Sequence, residues 1–394
     1  MKQTGFFTLV VTAITFIPSD AHALPAWARK YNMNCSGCHA PAAPRLNAKG
    51  FAFKWAGYRM PEEIGENQEV KQIQDYFAAR ARVQYLVAKT ATQATETNSF
   101  NLNDETLFAA GAIGKNFGAM LEFSNSAEGV DLMTTLVGVW GKEKQFYGVL
   151  GGKMHWIYEG GVAGFDRPTG IDGPTPLLSP TTSANPFQIA PDQLGVEAFY
   201  VAGRNHLAVQ VLNSTSARGP MLQAGAPTTK DFAVIEQFIY DSRGSGFTAM
   251  GYYGSIAGLD TTATAIRTSH FTRMAITANK IFKHVEVLGG YVYSNDTDLP
   301  VGSVFNRSSM TGLGYWVYGG YTFPSALTIF SRYEIVNPNT DATKEGNNRL
   351  AFGGVLPISL PEYLRLAAEY TLDTPRADGG LKKHRFSLEM MFAF

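Results

Sequence analysis

The sequence predicts an all-β protein, a closed antiparallel barrel of about sixteen strands built to cross a bilayer, behind a short N-terminal segment of different character. Three observations predict it. From about residue 75 onward, apolar and polar residues alternate with period two. The connections between those runs are, broadly, short and long in turn. The last run closes on an aromatic residue, Phe394, a habit of bacterial outer-membrane barrels.

The alternation is cleanest near the C-terminus. Phe386, Leu388, Met390, Phe392 and Phe394 share one face, with Arg385, Ser387 and Glu389 on the other. Leu364, Leu366, Ala368, Tyr370 and Leu372 alternate with Arg365, Ala367, Glu369 and Thr371, and Val285, Val287, Tyr291 and Tyr293 repeat the theme. The runs are long for a soluble sandwich and suit a bilayer crossed at a tilt. They fall at 75–90, 104–115, 116–125, 129–142, 143–158, 192–203, 205–215, 230–241, 246–258, 267–279, 281–294, 310–323, 325–336, 347–358, 361–373 and 383–394. Tight turns are expected at Asn116-Phe117, Gly141-Lys142-Glu143, Arg204-Asn205, Ser242-Arg243-Gly244, Asn279-Lys280 and Pro324-Ser325. Longer links at 91–103, 159–191, 216–229, 295–309 and 374–382 lie between them, and the link at 125–128 breaks the rhythm. An even-stranded barrel with short periplasmic turns and long outer loops has this pattern.

The N-terminus reads as an address. Lys2, an apolar run over 6–17 and the Ala21-His22-Ala23 cleavage pattern make residues 1–23 a signal peptide, so the chain is expected to leave the cytoplasm. No later run reaches the roughly 18 apolar residues of a spanning helix. Lys plus Arg and Asp plus Glu number 33 each, a balance that argues against nucleic acid as a partner.

Between address and barrel, residues 24–70 hold the two cysteines of the chain, in Cys35-Ser36-Gly37-Cys38-His39. This spacing suits covalent haem attachment. Two thiols three residues apart reach the two vinyl groups, and the adjacent imidazole serves as proximal iron ligand. A redox dithiol wants a thioredoxin-like βαβ context, and a zinc site needs further ligands nearby; neither follows. Met60, 22 residues beyond Cys38, is the candidate for the opposite haem face, against ordinary packing; Met33 is too close to the attachment site to cross over easily. Phe51, Phe53 and Trp55 are expected to form an apolar haem wall. Under 50 residues is marginal for an independent core. The segment is therefore expected to lean on the barrel of residues 71–394, as a plug for its lumen.

With these residues on the page, the chain resembles the fused monohaem cytochrome–porin family of bacterial outer-membrane iron oxidases. The specific likeness covers residues 25–60, through the haem motif and the run PRLNAKGFAFKWAGYR; the remainder is similar in architecture. The resemblance implies one covalently attached c-type haem on Cys35 and Cys38, with His39 as proximal ligand. It implies an outer-membrane location, extracellular Fe(II) as donor and a periplasmic electron carrier as acceptor. Two other readings stay open: a porin whose haem is structural or sensory, and a haem conduit for a different donor. Asp166, Asp172, Asp192, Asp296 and Asp298 read as loop acids that could attract Fe(II), against the plainer reading that acids are common in solvated loops. His155, His206, His270 and His284 read as strand histidines facing the lumen or an interface.

Overall fold

Alternation along the strands becomes a wall with an inside and an outside. The computed structural model describes residues 26–40, 45–91, 96–126, 129–154, 171, 193–213, 230–259, 266–297, 309–341, 346–359, 363–377 and 379–394. The expected signal peptide, His155, Asp166, Asp172, Asp192 and Asp298 lie outside the described residues. Among these the strands are β1 (Phe77–Thr90), β2 (Thr97–Ile113), β3 (Phe117–Ser126), β4 (Gly129–Lys142), β5 (Gln145–Met154), β6 (Gln193–Ala202), β7 (Asn205–Asn213) and β8 (Lys230–Ile239). They continue as β9 (Gly246–Leu259), β10 (Ile266–Phe282), β11 (Val285–Thr297), β12 (Ser309–Thr322), β13 (Thr328–Asn337), β14 (Asn347–Ser359), β15 (Tyr363–Pro375) and β16 (Lys383–Ala393). Each pairs antiparallel with its chain neighbours, and β1 pairs with β16 to close the barrel. Closure leaves no open edge, the condition for a sheet to stand in lipid.

Several boundaries shift by a few residues, and two of the shifts have a clear cause. Strand β2 begins at Thr97 rather than 104, because the polar stretch Asn98-Ser99-Phe100-Asn101 pairs with β1 beyond a register shift at Arg82/Val83. The expected turn at Asn279-Lys280 is strand: β10 runs on to Phe282, and the chain turns at Lys283 (φ 49°) and His284. Asn279 faces inward, where its Oδ1 accepts from the Gly246 amide at 2.9 Å and its Nδ2 donates to Glu286 at 3.2 Å. A turn residue by type is held here by side-chain partners.

Outward residues are apolar and uncovered by protein: Leu136 is 62% exposed and Val317 58%. Aromatic Phe117, Tyr147, Phe282 and Tyr321 stand outward near the short turns, as in an interfacial girdle. Inward residues mix apolar side chains such as Ile235, Val292 and Trp316 with paired charges. Arg332 joins Glu334 and Glu369, Arg365 joins Glu389, and Arg273 Nη2 lies 2.8 Å from Asp296 Oδ1. Among the described residues no helix is long and apolar enough to cross a membrane.

Residues 26–40 and 45–76 form short helices and turns at the end of the wall where the short turns lie. Helix α1 (Ala26–Lys30) and helix α2 (Ala48–Trp55) frame the attachment motif. Inward wall residues hold them. Trp27 Nε1 donates to the Ala110 carbonyl of β2 at 3.1 Å, and Tyr58 Oη lies 3.2 Å from Thr135 Oγ1 of β4. Arg59, fully buried, donates to the carbonyls of Gly114, Lys115 and Phe117 around the β2–β3 turn.

Candidate haem-attachment site

Cys35, Ser36 and Gly37 form a single 3₁₀ turn, with the Cys38 and His39 amides donating to the Cys35 carbonyl at 3.2 and 2.9 Å. One tight loop thus carries both thiols and the imidazole. Asn47 clamps it from α2. Its amide donates to the Cys38 carbonyl at 2.9 Å, and its Nδ2 donates to the Gly37 carbonyl at 3.0 Å. The same side chain caps α2, Oδ1 accepting from the Gly50 amide at 3.0 Å. Gly50 is required by closeness: a Cβ there would overlap the Cys38 carbonyl oxygen and press within 2.9 Å of Leu46 Cδ2.

The His39 ring is oriented by the chain. Its Nδ1 lies 3.0 Å from the Arg45 carbonyl, which has only lone pairs to offer, so Nδ1 carries the proton and Nε2 the lone pair. That is the tautomer an iron ligand needs, with the carbonyl raising ligand basicity. Arg45 is itself fixed: its buried guanidinium pairs with Glu286 of β11, which also accepts from Asn279.

Both thiols are half-buried and free. Burial pushes Cys35 up to about 11 and raises Cys38 as well. Reactive dithiols are held in the opposite direction, toward thiolate, so the site lacks the electrostatics of a redox pair. Among the described residues no group of three or more His, Cys, Asp or Glu side chains could hold a bare metal ion. A macrocycle that brings its own four nitrogens needs only the one imidazole on this side. Loop, tautomer and apolar flank fit a haem.

That flank is α2. Phe51, Phe53 and Trp55 are all buried, and Trp55 stacks on His206 of β7 at 5.0 Å and 8°. The helix ends at Trp55, and two residues on, Gly57 takes a φ of +73° that suits glycine, its α-carbon abutting Val137 and Val139 of β4. Met60 is buried in the same apolar cluster, its amide donating to Glu63 Oε2 at 3.0 Å. Tyr31 donates to that carboxylate oxygen at 2.6 Å, and burial first, then Glu63, pushes its phenol well above the usual range. Met33 sits on the attachment loop itself, its sulfur accepting from Lys49 Nζ at 3.1 Å.

OmpF of Salmonella typhi, solved in complex with daunomycin, matches 81% of this chain and 97% of its own, with TM-score 0.54 and 10% identity. The in-vitro folded OmpT of Vibrio cholerae gives 81% and 96%, TM-score 0.52 and 12% identity. An anion-selective porin from Comamonas acidovorans gives 81% and 98%, TM-score 0.51 and 8% identity. The fold is that of an outer-membrane porin. At such identities the likeness is one of fold alone. No protein-family model matches the chain, and no curated protein does.

Other expectations fare differently. Asp296 is no loop acid: it lies in β11, 3% exposed and paired with Arg273, because an inward strand position needs its charge compensated. His284 stands exposed in the β10–β11 turn rather than in a strand. His270 is in β10, 3.2 Å from Tyr253 Oη, and His206 faces inward as expected. Arg45, Asn47 and Glu286 were not legible as site residues. Asn47 has a signal, a cap type opening a helix; Arg45 and Glu286 have none, being 241 positions apart. A further signal lies in β4, where Val137 and Val139 face inward beside outward Leu136. Alternation fails where the N-terminal segment docks.

Proposed function

We propose that this chain is an outer-membrane cytochrome–porin that takes electrons from Fe(II) outside the cell and passes them to a carrier in the periplasm. The observation that carries the reading is the His39 Nδ1 contact to the Arg45 carbonyl, within a Cys-x-x-Cys-His loop seated in a porin barrel. Cys35 and Cys38 would hold one c-type haem, His39 would ligate its iron, and Met60 is the candidate for a second ligand. The haem would supply a one-electron carrier, which the fold otherwise lacks. The chain's own residues do the rest. Glu286 holds Arg45, whose carbonyl holds the imidazole; Phe51, Phe53 and Trp55 exclude water; the wall keeps lipid out of the path.

The barrel by itself also favours a channel, with a structural or sensory haem, and a donor other than Fe(II) would use the same residues. One experiment separates them. The purified protein is reconstituted in vesicles, Fe(II) is added, and the haem absorbance is followed. Reduction within the mixing time supports iron oxidation. A haem that stays oxidised removes Fe(II) as donor.

A further inference from the structure

The attachment loop reaches the surface at the short-turn end of the wall, where Asn34, Ser36 and Lys49 are exposed. The wall beside it is basic. The Ala48 amide donates to the Ser242 carbonyl at 3.4 Å, and Gly244 packs so closely on Leu46 and Asn47 that a Cβ would come within 2.9 Å of the Leu46 carbonyl. The β8–β9 turn therefore touches the residues that clamp Ser36 and Gly37. From that turn Arg243 Nη1 reaches the Lys283 carbonyl at 3.3 Å. Arg204 Nη1 donates to the Tyr240 carbonyl at 2.5 Å, and Lys280 Nζ sits 4.4 Å over the Tyr240 ring.

Arg243 and Lys283, joined through the Lys283 carbonyl, and exposed Arg204 thus stand on the short turns beside the loop, whose own Lys49 is exposed, while Lys280 faces outward with Tyr240 and Phe282. Against them stands Asp241, whose Oδ1 already accepts from the Arg243 and Ser245 amides and whose Oδ2 lies 3.6 Å from Lys280. The whole chain is balanced at 33 charges of each sign, so this excess is a matter of placement. Short turns face the periplasm in barrels of this kind.

We infer that this basic patch is the docking face for an acidic electron-accepting protein of the periplasm, an inference that rests on the haem reading above. A one-signed patch around the loop concentrates an oppositely charged partner where the path is shortest and speeds encounter more than it adds affinity. Lipid headgroups compete for Arg204, Arg243 and Lys283, which stand on the turns; Lys49 and Ser36, exposed on the segment held by inward wall residues, favour a protein docked over the loop.

The test uses the full chain in neutral detergent and fluorescein-labelled poly-L-glutamate, read by anisotropy at low and high salt. Reversing Arg243→Glu with Lys283→Glu is expected to weaken binding about tenfold, the low end of electrostatic steering. Lys142→Glu with Lys144→Glu, on the β4–β5 turn, is expected to change it less than twofold. If the reversed pair does not fold, Arg243→Gln with Lys283→Gln should still weaken binding more than the control pair does. The first pair should also slow oxidation of the reduced haem by ferricyanide, an anionic one-electron acceptor. Equal losses in both pairs, no binding at low salt, or preference for phosphatidylglycerol vesicles over the polyacid would overturn the docking face. Binding is read without the haem. A chain that binds the probe but carries no haem refutes the electron-transfer function, whereas one that carries haem and ignores the probe refutes only the surface.

Discussion

Phe53 in α2 and Phe117 at the start of β3 are the same side chain put to opposite uses: one is 5% exposed, the other 61%. The segment at 26–76 is organised as a water-soluble core, with Trp27, Phe53, Tyr58 and Trp55 inside and Lys49 outside. The wall is the reverse, apolar outward and charge-paired inward. The two plans meet where the wall changes its own rule. Under the segment its inner face turns apolar, at Val137, Val139, Phe146 and Phe199. Elsewhere it carries Arg365 with Glu389 and Arg82 with Asp104. Burial is defined by the local neighbour, lipid outside and a folded segment inside, and one strand can serve both.

The sharpest way to break this comparison is to remove one side of it. A chain lacking residues 24–70 should still close its barrel, since every strand pair is made within the wall. It should keep a heat-dependent mobility shift and show conductance several-fold above the full chain in planar bilayers. Unchanged conductance would place the segment outside the conducting path.

Next in size is the ion pair that joins the two plans. Arg45→Ala leaves Glu286 buried with half its partners, a change that costs about 3–5 kcal/mol when a buried pair loses one member. The segment should then become sensitive to protease while the barrel stays folded. Adding Glu286→Gln should restore most of the protection, because an amide needs no counter-charge.

Comparable or smaller are the changes that act in one environment only. Phe53→Ala should destabilise the segment by about 3–5 kcal/mol, the usual cost of an emptied aromatic core site. Leu136→Arg should cost about 2–4 kcal/mol in bilayers, where an outward cation meets hydrocarbon. In detergent urea titrations the Leu136 effect should shrink and the Phe53 effect persist. Equal behaviour in both media would erase the distinction between the two regions.

Much of this was legible before the structure. Period-two alternation in β15 and β16 gave the wall's two faces residue by residue, because lipid and lumen impose opposite polarity on neighbours in a strand. Where a third environment intervenes, the pattern fades. β4 reads as apolar on both faces near its turn because α2 docks there, and a loop-like stretch of Asn and Ser in β2 is strand because β1 offers it partners. The motif itself is local, so Cys35, Cys38 and His39 could be found from spacing. The groups that set the imidazole are not local. Glu286 looks like any inward acid until folding brings Arg45 to it.

The central claim is that a porin barrel here carries a covalent haem on Cys35 and Cys38. It is tested most directly by exporting the full chain in a host that attaches c-type haem, resolving it on a denaturing gel and staining for haem peroxidase activity. A stained band at the mature mass, lost when Cys35→Ala and Cys38→Ala are combined, is the predicted result. An unstained wild-type band, or a stain that survives the double change, would contradict it.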